Sequence, residues 1–469
     1  MPPKFKINAS PTPPRHRPVG KLGIVDWRED CSSCKNCVKK GCVYDLYRDE
    51  ANALREELGY LDYIFQCKGC LNCVQNCTKS LLTRVVNPEF KRLGDDTYTP
   101  EILIATWFQG ATGAVPVSGA GYGGPFSGEG FDSMWTDMSE IVRPTRDGIH
   151  GREYINTGVE IGRKLSHLMF DGMKLISNPP PVQEIPMPLI IDQIPKNWRR
   201  GGVQEALIRT ASTVGIKCVV PADVIERGIE GEMNAVIPLI SSSNTSAMKK
   251  LQKTPLLMIS DGPSLEGAVK AAKDAAPERI VIIRVDASTT STERVLQLAE
   301  NGAESIHLVF DVNGREQAAK HPRHARDVIR EVHRTLVKAG VRDELSFSVS
   351  GGIALAEHMA KAVLCGADFV AADLPFIIAM ECRLCKDCEK DLACQVTLEE
   401  AEGDFLTRRA VNLMSSWHSQ LLEMMGAMGI REARRLRGET GRCMFFEDLE
   451  ADTFGRLFGK RKADKGGEA

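Results

Sequence analysis

From residue 187 onward the chain alternates short apolar runs with stretches patterned as amphipathic helix. The runs are Pro188–Asp192, Ile216–Val220, Ala235–Ile240, Leu256–Ile259, Ile280–Val285, Ser305–Phe310, Leu345–Val349 and Ala367–Ala372. Between them lie helix candidates at Val203–Val214, Leu265–Ala275, Thr292–Glu300, Ala325–Lys338 and Ala354–Leu364. Runs that are continuous in Val, Ile and Leu, instead of alternating with polar residues, belong to strands buried on both faces, as in parallel sheets. Strand–helix alternation at this spacing is the βα signature. Eight such units predict a (β/α)8 TIM-type barrel over residues 186–398. The stretch between the second and third runs is poor in helix signals, which keeps a doubly wound open sheet as the alternative.

The flanks divide by pattern. Residues 1–21 are a Pro-rich N-terminal tail expected to run over the surface. Residues 22–90 carry clustered cysteines, and Glu50–Leu58 within them is a short helix of strong helix formers. Residues 91–185 form a junction segment. Its 108–160 portion is dense in glycine, as in Gly121-Tyr-Gly-Gly-Pro-Phe-Ser-Gly128, and is expected to contribute no core element. Arg143, Arg146, His150 and Arg152 in it are available to an anion or an acidic partner surface, with ordinary surface ion pairing as the competing use. Residues 399–458 read as C-terminal helices, in which Met424, Met425 and Met428 suit a helix core. Residues 459–469 read as a disordered tail.

Composition narrows the class. The 469 residues are 43% hydrophobic and 26% charged, with a formal net charge of −2. That balance lacks the basic excess that draws proteins to nucleic acid. No stretch reaches the roughly 20 apolar residues of a membrane span. The amino terminus has no apolar signal segment, so a cytoplasmic protein is expected.

The fifteen cysteines change the picture most. Eight fall between positions 31 and 77 and four between 382 and 394, leaving Cys218, Cys365 and Cys443 as isolated residues suited to packing. Tight clusters in a long chain are ligand sets, not a disulfide scaffold. Cys31, Cys34, Cys37 and Cys42 form one run, and Cys67, Cys70, Cys73 and Cys77 another. This is the C-x2-C-x2-C-x3-C ferredoxin spacing written twice, with one extra residue before Cys42 and no proline after either fourth cysteine. The repeat predicts a ferredoxin-like domain with two [4Fe–4S] clusters. Cys31, Cys34, Cys37 and Cys77 would hold one cluster, and Cys67, Cys70, Cys73 and Cys42 the other. Cys382, Cys385, Cys388 and Cys394 suggest a third cluster, [3Fe–4S] or [4Fe–4S]. Zinc is the competing occupant of each set, and more seriously of the last, which has no internal repeat.

A barrel places its chemistry at the carboxyl ends of its strands, often with a phosphate site after strands seven and eight. The seventh run leads into Ser350-Gly351-Gly352 and then a helix, so these residues are candidates for holding a phosphate, a tight turn being the plainer use.

Three patches carry a resemblance. Ser118–Lys164, Val349-Ser-Gly-Gly-Ile353 with Cys365-Gly-Ala-Asp368, and Arg409–Trp417 with Gly429–Ala433 resemble the archaeal-type glutamate synthases. Those enzymes have an FMN-binding barrel preceded by ferredoxin-type clusters, and the 382–394 cysteines lie where the family binds a cluster. The resemblance implies FMN on Ser350, Gly351 and Gly352. It also implies electron flow from the clusters to the flavin, and reductive amination of 2-oxoglutarate to glutamate. An electron-donor protein or NAD(P)H-oxidising flavoprotein subunit would supply reductant. The Met-Pro start offers no cysteine nucleophile for a glutaminase, so ammonia would come free or from a partner subunit. The family's K-P-G-x-G-G-like and S-G-x-x-G-G-T-G-like stretches are here Ile259–Gly267 and Val285–Glu293, and its final G-T is replaced by Ala371-Ala372-Asp373. A non-catalytic electron-transfer or scaffold subunit with a degraded flavin site is therefore the alternative function.

Overall fold

A computed structural model describes residues 5–16, 19, 21, 24–27, 43, 71–115, 129–136, 155–225, 232–244, 251, 254–390 and 392–459. Eight parallel strands close into a barrel: β1 Leu189–Ile191, β2 Cys218–Pro221, β3 Val236–Ser241, β4 Leu256–Ser260, β5 Ile280–Asp286, β6 Ser305–Val309, β7 Ser346–Ser350 and β8 Phe369–Ala372. Every predicted run became a strand in the predicted order, and β8 pairs with β1 through Val370↔Leu189 and Ala371↔Ile190. Closure excludes the open sheet. Burial explains the legibility, because the strands are covered on both faces and need apolar residues at successive positions.

Helix α1 spans Pro100–Thr112, α2 Val203–Val214, α3 Leu265–Ala275, α4 Ser291–Glu300, α5 Ala325–Lys338, α6 Ala356–Cys365, α7 Leu374–Ala379 and α8 Gly403–Met428. After β2 the described residues make only the short helix Ala222–Ile225 and the 3-10 turn Met233–Ala235, in keeping with the weak helix signal there. The long α8 packs against α1 and α2, burying Trp417, Met425 and Met428. Among the isolated cysteines, Cys218 and Cys365 are fully buried, and Cys443 is half-buried in strand Cys443–Phe445.

One expectation fails. The 108–160 stretch does contribute core: Phe131 and Met134 are buried, and Met134–Thr136 pairs with Cys443–Phe445. Val159–Gly162 pairs with Val182–Ile185, burying Ile161 and Ile185. Neighbouring glycines hid single apolar anchors that carry no periodicity. Arg143, Arg146, His150, Arg152, the helix expected at Glu50–Leu58 and the tail beyond residue 459 lie outside the described residues.

The amino-terminal tail crosses the surface as a pinned strap. The buried Arg409 guanidinium reaches the carbonyls of Ala379, Thr12 (3.1 Å) and Trp107 (3.0 Å), tying strap, α1 and α7 to α8. Asn412 adds a bond to Ser10 O at 2.8 Å. Arg409→Met would leave three carbonyls unpaired, and a loss of about 2–4 kcal/mol is expected. Faster proteolytic cleavage within residues 5–16, with a lowered melting temperature, is the expected readout; an unchanged digestion pattern would remove Arg409 as the anchor.

Candidate functional site

The strands converge on a charged centre inside the barrel. Asp192 follows β1, and Arg284 points inward from β5. Arg284 donates to both Asp192 oxygens at 2.7 and 3.2 Å, with both side chains under one-tenth exposed. Burial alone would raise the Asp192 carboxyl, but the Arg284 guanidinium wins and holds it far below the usual carboxylate range. His307 of β6 is fully buried beside them, its ring nitrogens 2.9 and 3.0 Å from the Ser348 and Ser350 hydroxyls of β7. Burial pushes its pKa down, keeping the ring neutral. This constellation went unread in the sequence, although a lone arginine in Ile-Ile-Arg-Val and a lone histidine in Ser-Ile-His-Leu are its visible trace.

The loops above that centre are tied to one another. Asp261, after β4, makes a two-pronged pair with Arg294 of α4 at 2.8 and 2.6 Å. Gln317 N–H donates to Ala287 O and its side chain to Val309 O, laying the loop after β6 over the end of β5. The loops after β4 and β6 are thus each tied to the region that follows β5.

Ser350, Gly351 and Gly352 close β7, as predicted, and the glycines have φ of +96° and +70°. A Cβ on Gly351 would lie 2.4 Å from Asp311 O, and one on Gly352 2.6 Å from the Gly314 Cα. The notch these glycines open is therefore filled by the backbone of the loop after β6. After β8, Asp373 caps α7, accepting the Leu374 N–H at 2.7 Å, and Pro375 removes the next donor. Burial, with the Asp192 charge nearby, raises the Asp373 carboxyl to about 6. An FMN phosphate at this corner would need those amides and that space, and the residues present do not fit it.

A raised carboxyl destabilises the fold when ionised. Its contribution is favourable below the unfolded value near pH 4 and is lost as pH rises through about 6. Asp373→Asn keeps a cap and removes the charge. It is expected to raise the melting temperature at pH 8, by roughly 1–2 kcal/mol with one side of the group near water, and to do nothing at pH 4. Equal effects at both pH values would refute this.

Cys382, Cys385, Cys388 and Cys394 line a single small cavity of about 30 Å³, with Trp198 and Arg200 on its wall. All four are free thiols. Their backbone is unusual. Among the described residues seven non-glycine residues have positive φ, and six of these stand within three residues of a clustered cysteine: Leu71, Ser80, Glu381, Leu384, Lys386 and Thr397. Such conformations cost about 1–3 kcal/mol each and turn successive N–H groups towards one centre, forming an anion-binding nest. Leu71 follows Cys70 with φ 59°, and Lys386 follows Cys385 with φ 60°. Each is the residue after the second cysteine of its run.

Sulfur acceptors are served by nitrogen donors. Leu384 N–H lies 3.5 Å from Cys382 Sγ, Asp387 N–H bonds Cys385, and the Trp198 indole bonds Cys388. In the second run Leu81 N–H donates to Cys77 Sγ at 3.2 Å. Burial pushes the Cys382 thiol up to about 12, and raises Cys385 and Cys388 as well, so the protons stay until a metal displaces them. No three of the four Sγ atoms fall within 4.8 Å of one another. Around one zinc, with Zn–S near 2.3 Å, tetrahedral sulfurs would sit about 3.8 Å apart.

The cysteine loop is clasped from outside the barrel. Trp107 Nε1 of α1 donates to Cys382 O at 3.2 Å, Gly94 N–H to Arg383 O at 3.3 Å, and the strap's Arg15 to Val396 O at 2.7 Å. None of the three contacts was visible in the sequence. Cys31, Cys34, Cys37, Cys42, Cys67 and Cys70 lie outside the described residues, as does the Cys73 side chain.

Asp132, Glu357 and His358 also gather ligand-type atoms within 4.8 Å. Ala354 N–H donates to His358 Nδ1 at 3.2 Å, which leaves a proton on Nε2 facing Asp132 at 3.0 Å. Lys361 pairs with Glu357 at 3.4 Å. The group anchors helix α6 and offers a cation no free ring nitrogen.

Fold and thiols together define a (β/α)8 barrel protein with a cysteine-lined cavity after its eighth strand. Residues 199–431 match the conserved region in glutamate synthase. An archaeal glutamate synthase [NADPH] of Archaeoglobus fulgidus is 23% identical over 92% of this chain and 96% of its own. An archaeal-type glutamate synthase [NADPH] of Thermotoga neapolitana is 26% identical over 87% and 91%. A solved mandelate oxidase mutant with benzaldehyde overlaps 65% of this chain and 98% of its own at 13% identity, TM-score 0.39. Over most of its length the chain is similar to the glutamate synthases. Among the described residues no helix is long and apolar enough to cross a membrane.

Proposed function

We propose that the chain is an iron–sulfur oxidoreductase subunit that takes up and passes on single electrons through three clusters. Cys31, Cys34, Cys37 and Cys77 would hold one [4Fe–4S] cluster, and Cys67, Cys70, Cys73 and Cys42 a second. Cys382, Cys385, Cys388 and Cys394 would hold a third. The observation that carries this reading is the shared left-handed backbone after the second cysteine at Leu71 and Lys386, with N–H donors aimed at sulfur in both runs.

When bound, such clusters supply reversible one-electron reduction. The protein's own part is to hold the thiolates and stabilise their charge. Leu384, Asp387 and Trp198 do this by donating to sulfur, and Arg200 places a cation beside Cys388. The clasp by Trp107 and Gly94 ties the 382–394 cysteine loop to the segment that follows the clustered cysteines at 67–77, which supports electron passage between them. An electron-donor protein, or an NAD(P)H-oxidising flavoprotein subunit, is the partner this requires.

Anaerobic purification with iron and sulfide analysis tests the proposal. About 11–12 irons per chain with matching sulfide are expected; a colourless, zinc-loaded protein would overturn it. The names of the relatives favour a second reading, electron delivery to FMN and reductive amination of 2-oxoglutarate with ammonia from solution or a partner. Ammonia-dependent glutamate formation with reduced ferredoxin would establish that reading.

A further inference from the structure

We infer that the barrel's phosphate corner is closed by the chain's own Asp373 carboxylate and by the backbone of residues 310–314, so that this chain holds no FMN. The inference is independent of the cluster assignment. In a barrel of this kind a phosphate sits between the turn after strand seven and the start of a short helix after strand eight, held by main-chain N–H groups. Both halves of that cradle are obstructed here. On the strand-seven side, Asp311 O and the Gly314 Cα occupy the positions into which Gly351 and Gly352 open. On the strand-eight side, Asp373 already accepts the Leu374 N–H, and Pro375 has none to give. A phosphate arriving there would meet a carboxylate where it needs a donor, and like charges at contact distance repel strongly when water is excluded.

The rest of the mouth agrees. The Arg284 cation is held by both oxygens of Asp192, so it faces its own counter-ion and not an incoming anion. Asp261 with Arg294, and Gln317 with Ala287 and Val309, draw the loops after β4, β5 and β6 onto one another, where an isoalloxazine ring would have to enter. Asp261 and Ala287, one partner of each tie, lie in the two segments that depart from the family pattern. The barrel is a rigid frame for the cysteine loop, and α7 is the link: its first turn is capped by Asp373 and its last turn leads into Cys382.

The test uses the anaerobically purified full chain with its metal in place. Acid-released flavin is measured first, and FMN is then titrated into the protein and followed by fluorescence. Wild type is expected to release no flavin and to leave micromolar FMN free. Asp373→Gly, which clears the carboxylate and frees the Leu374 N–H, is expected to tighten FMN binding by about tenfold or more. Asp373→Ser, a smaller neutral cap, serves as a second variant should the glycine variant misfold; iron content and melting temperature report folding. Stoichiometric flavin in wild type overturns the inference. A folded variant that binds FMN no better than wild type overturns the role given to Asp373. Neither result bears on the iron and sulfide count.

Discussion

Asp192→Ala is expected to destabilise the barrel by about 3–5 kcal/mol, because it leaves the Arg284 guanidinium buried without a counter-charge. Truncation removes both carboxylate acceptors of that guanidinium, which is under one-tenth exposed. Melting temperature is the readout. A second variant separates the pair's net worth from the cost of breaking it. Asp192→Leu combined with Arg284→Met replaces two charges by apolar groups of similar reach, and such replacements are often neutral or stabilising. The double variant is therefore expected to melt within a few degrees of wild type, and well above Asp192→Ala. Double and single variants melting together would show that the ion pair is not what the interior depends on.

The same pair sets an acid limit. Asp192 is depressed in the folded chain, so its contribution is complete above the unfolded carboxyl value near pH 4 and is lost only as pH falls towards the much lower folded value. The barrel is thus expected to hold this pair through mild acid. His307 works against this limit: burial lowers its pKa, so its contribution is complete above the unfolded value near 6.5 and is lost as pH falls below it, where the unfolded ring binds a proton first.

The barrel was legible because its strands are buried on both faces, so each one advertises itself as a continuous apolar run. Ile280–Val285 and Ser305–Phe310 each contain the inward polar residue that proved most informative, yet one charged residue inside an apolar run does not name its partner ninety residues away. Asp192 could be matched to Arg284 only once β1 and β5 faced each other across the closed sheet. The cysteine set at 382–394 was legible from spacing alone, since soft ligands at short intervals have few other uses. Its clasp was not. Trp107 sits in a helix that pattern analysis merged with a glycine-rich junction, and Trp198 lies in a short 3-10 turn with no periodicity to flag it. Ser350-Gly351-Gly352 shows the opposite failure. The residues match a phosphate turn, and only the positions of Asp311 and Gly314 reveal that the space beside them is taken.

Cys385→Ala is expected to remove three or four irons per chain, about a third of the total, and leave about eight in the amino-terminal clusters. Cys385 is chosen because its neighbours carry the strain: Leu384 and Lys386 both have positive φ, and nothing in their side chains favours it. Without the cluster that conformation has no recompense, so the loop from Glu381 to Thr397 should relax. The bonds from Trp107 to Cys382 O and from Arg15 to Val396 O should weaken with it. Proteolysis near Lys386, slow in wild type, should become fast. Lys386→Gly provides the control, since glycine accepts φ +60° without a Cβ penalty. It should keep the full iron content and raise stability by about 1 kcal/mol. Iron loss in Cys385→Ala with retention in Lys386→Gly assigns the left-handed backbone to cluster binding. Full iron in Cys385→Ala would mean that the cavity at residues 382–394 is not a metal site.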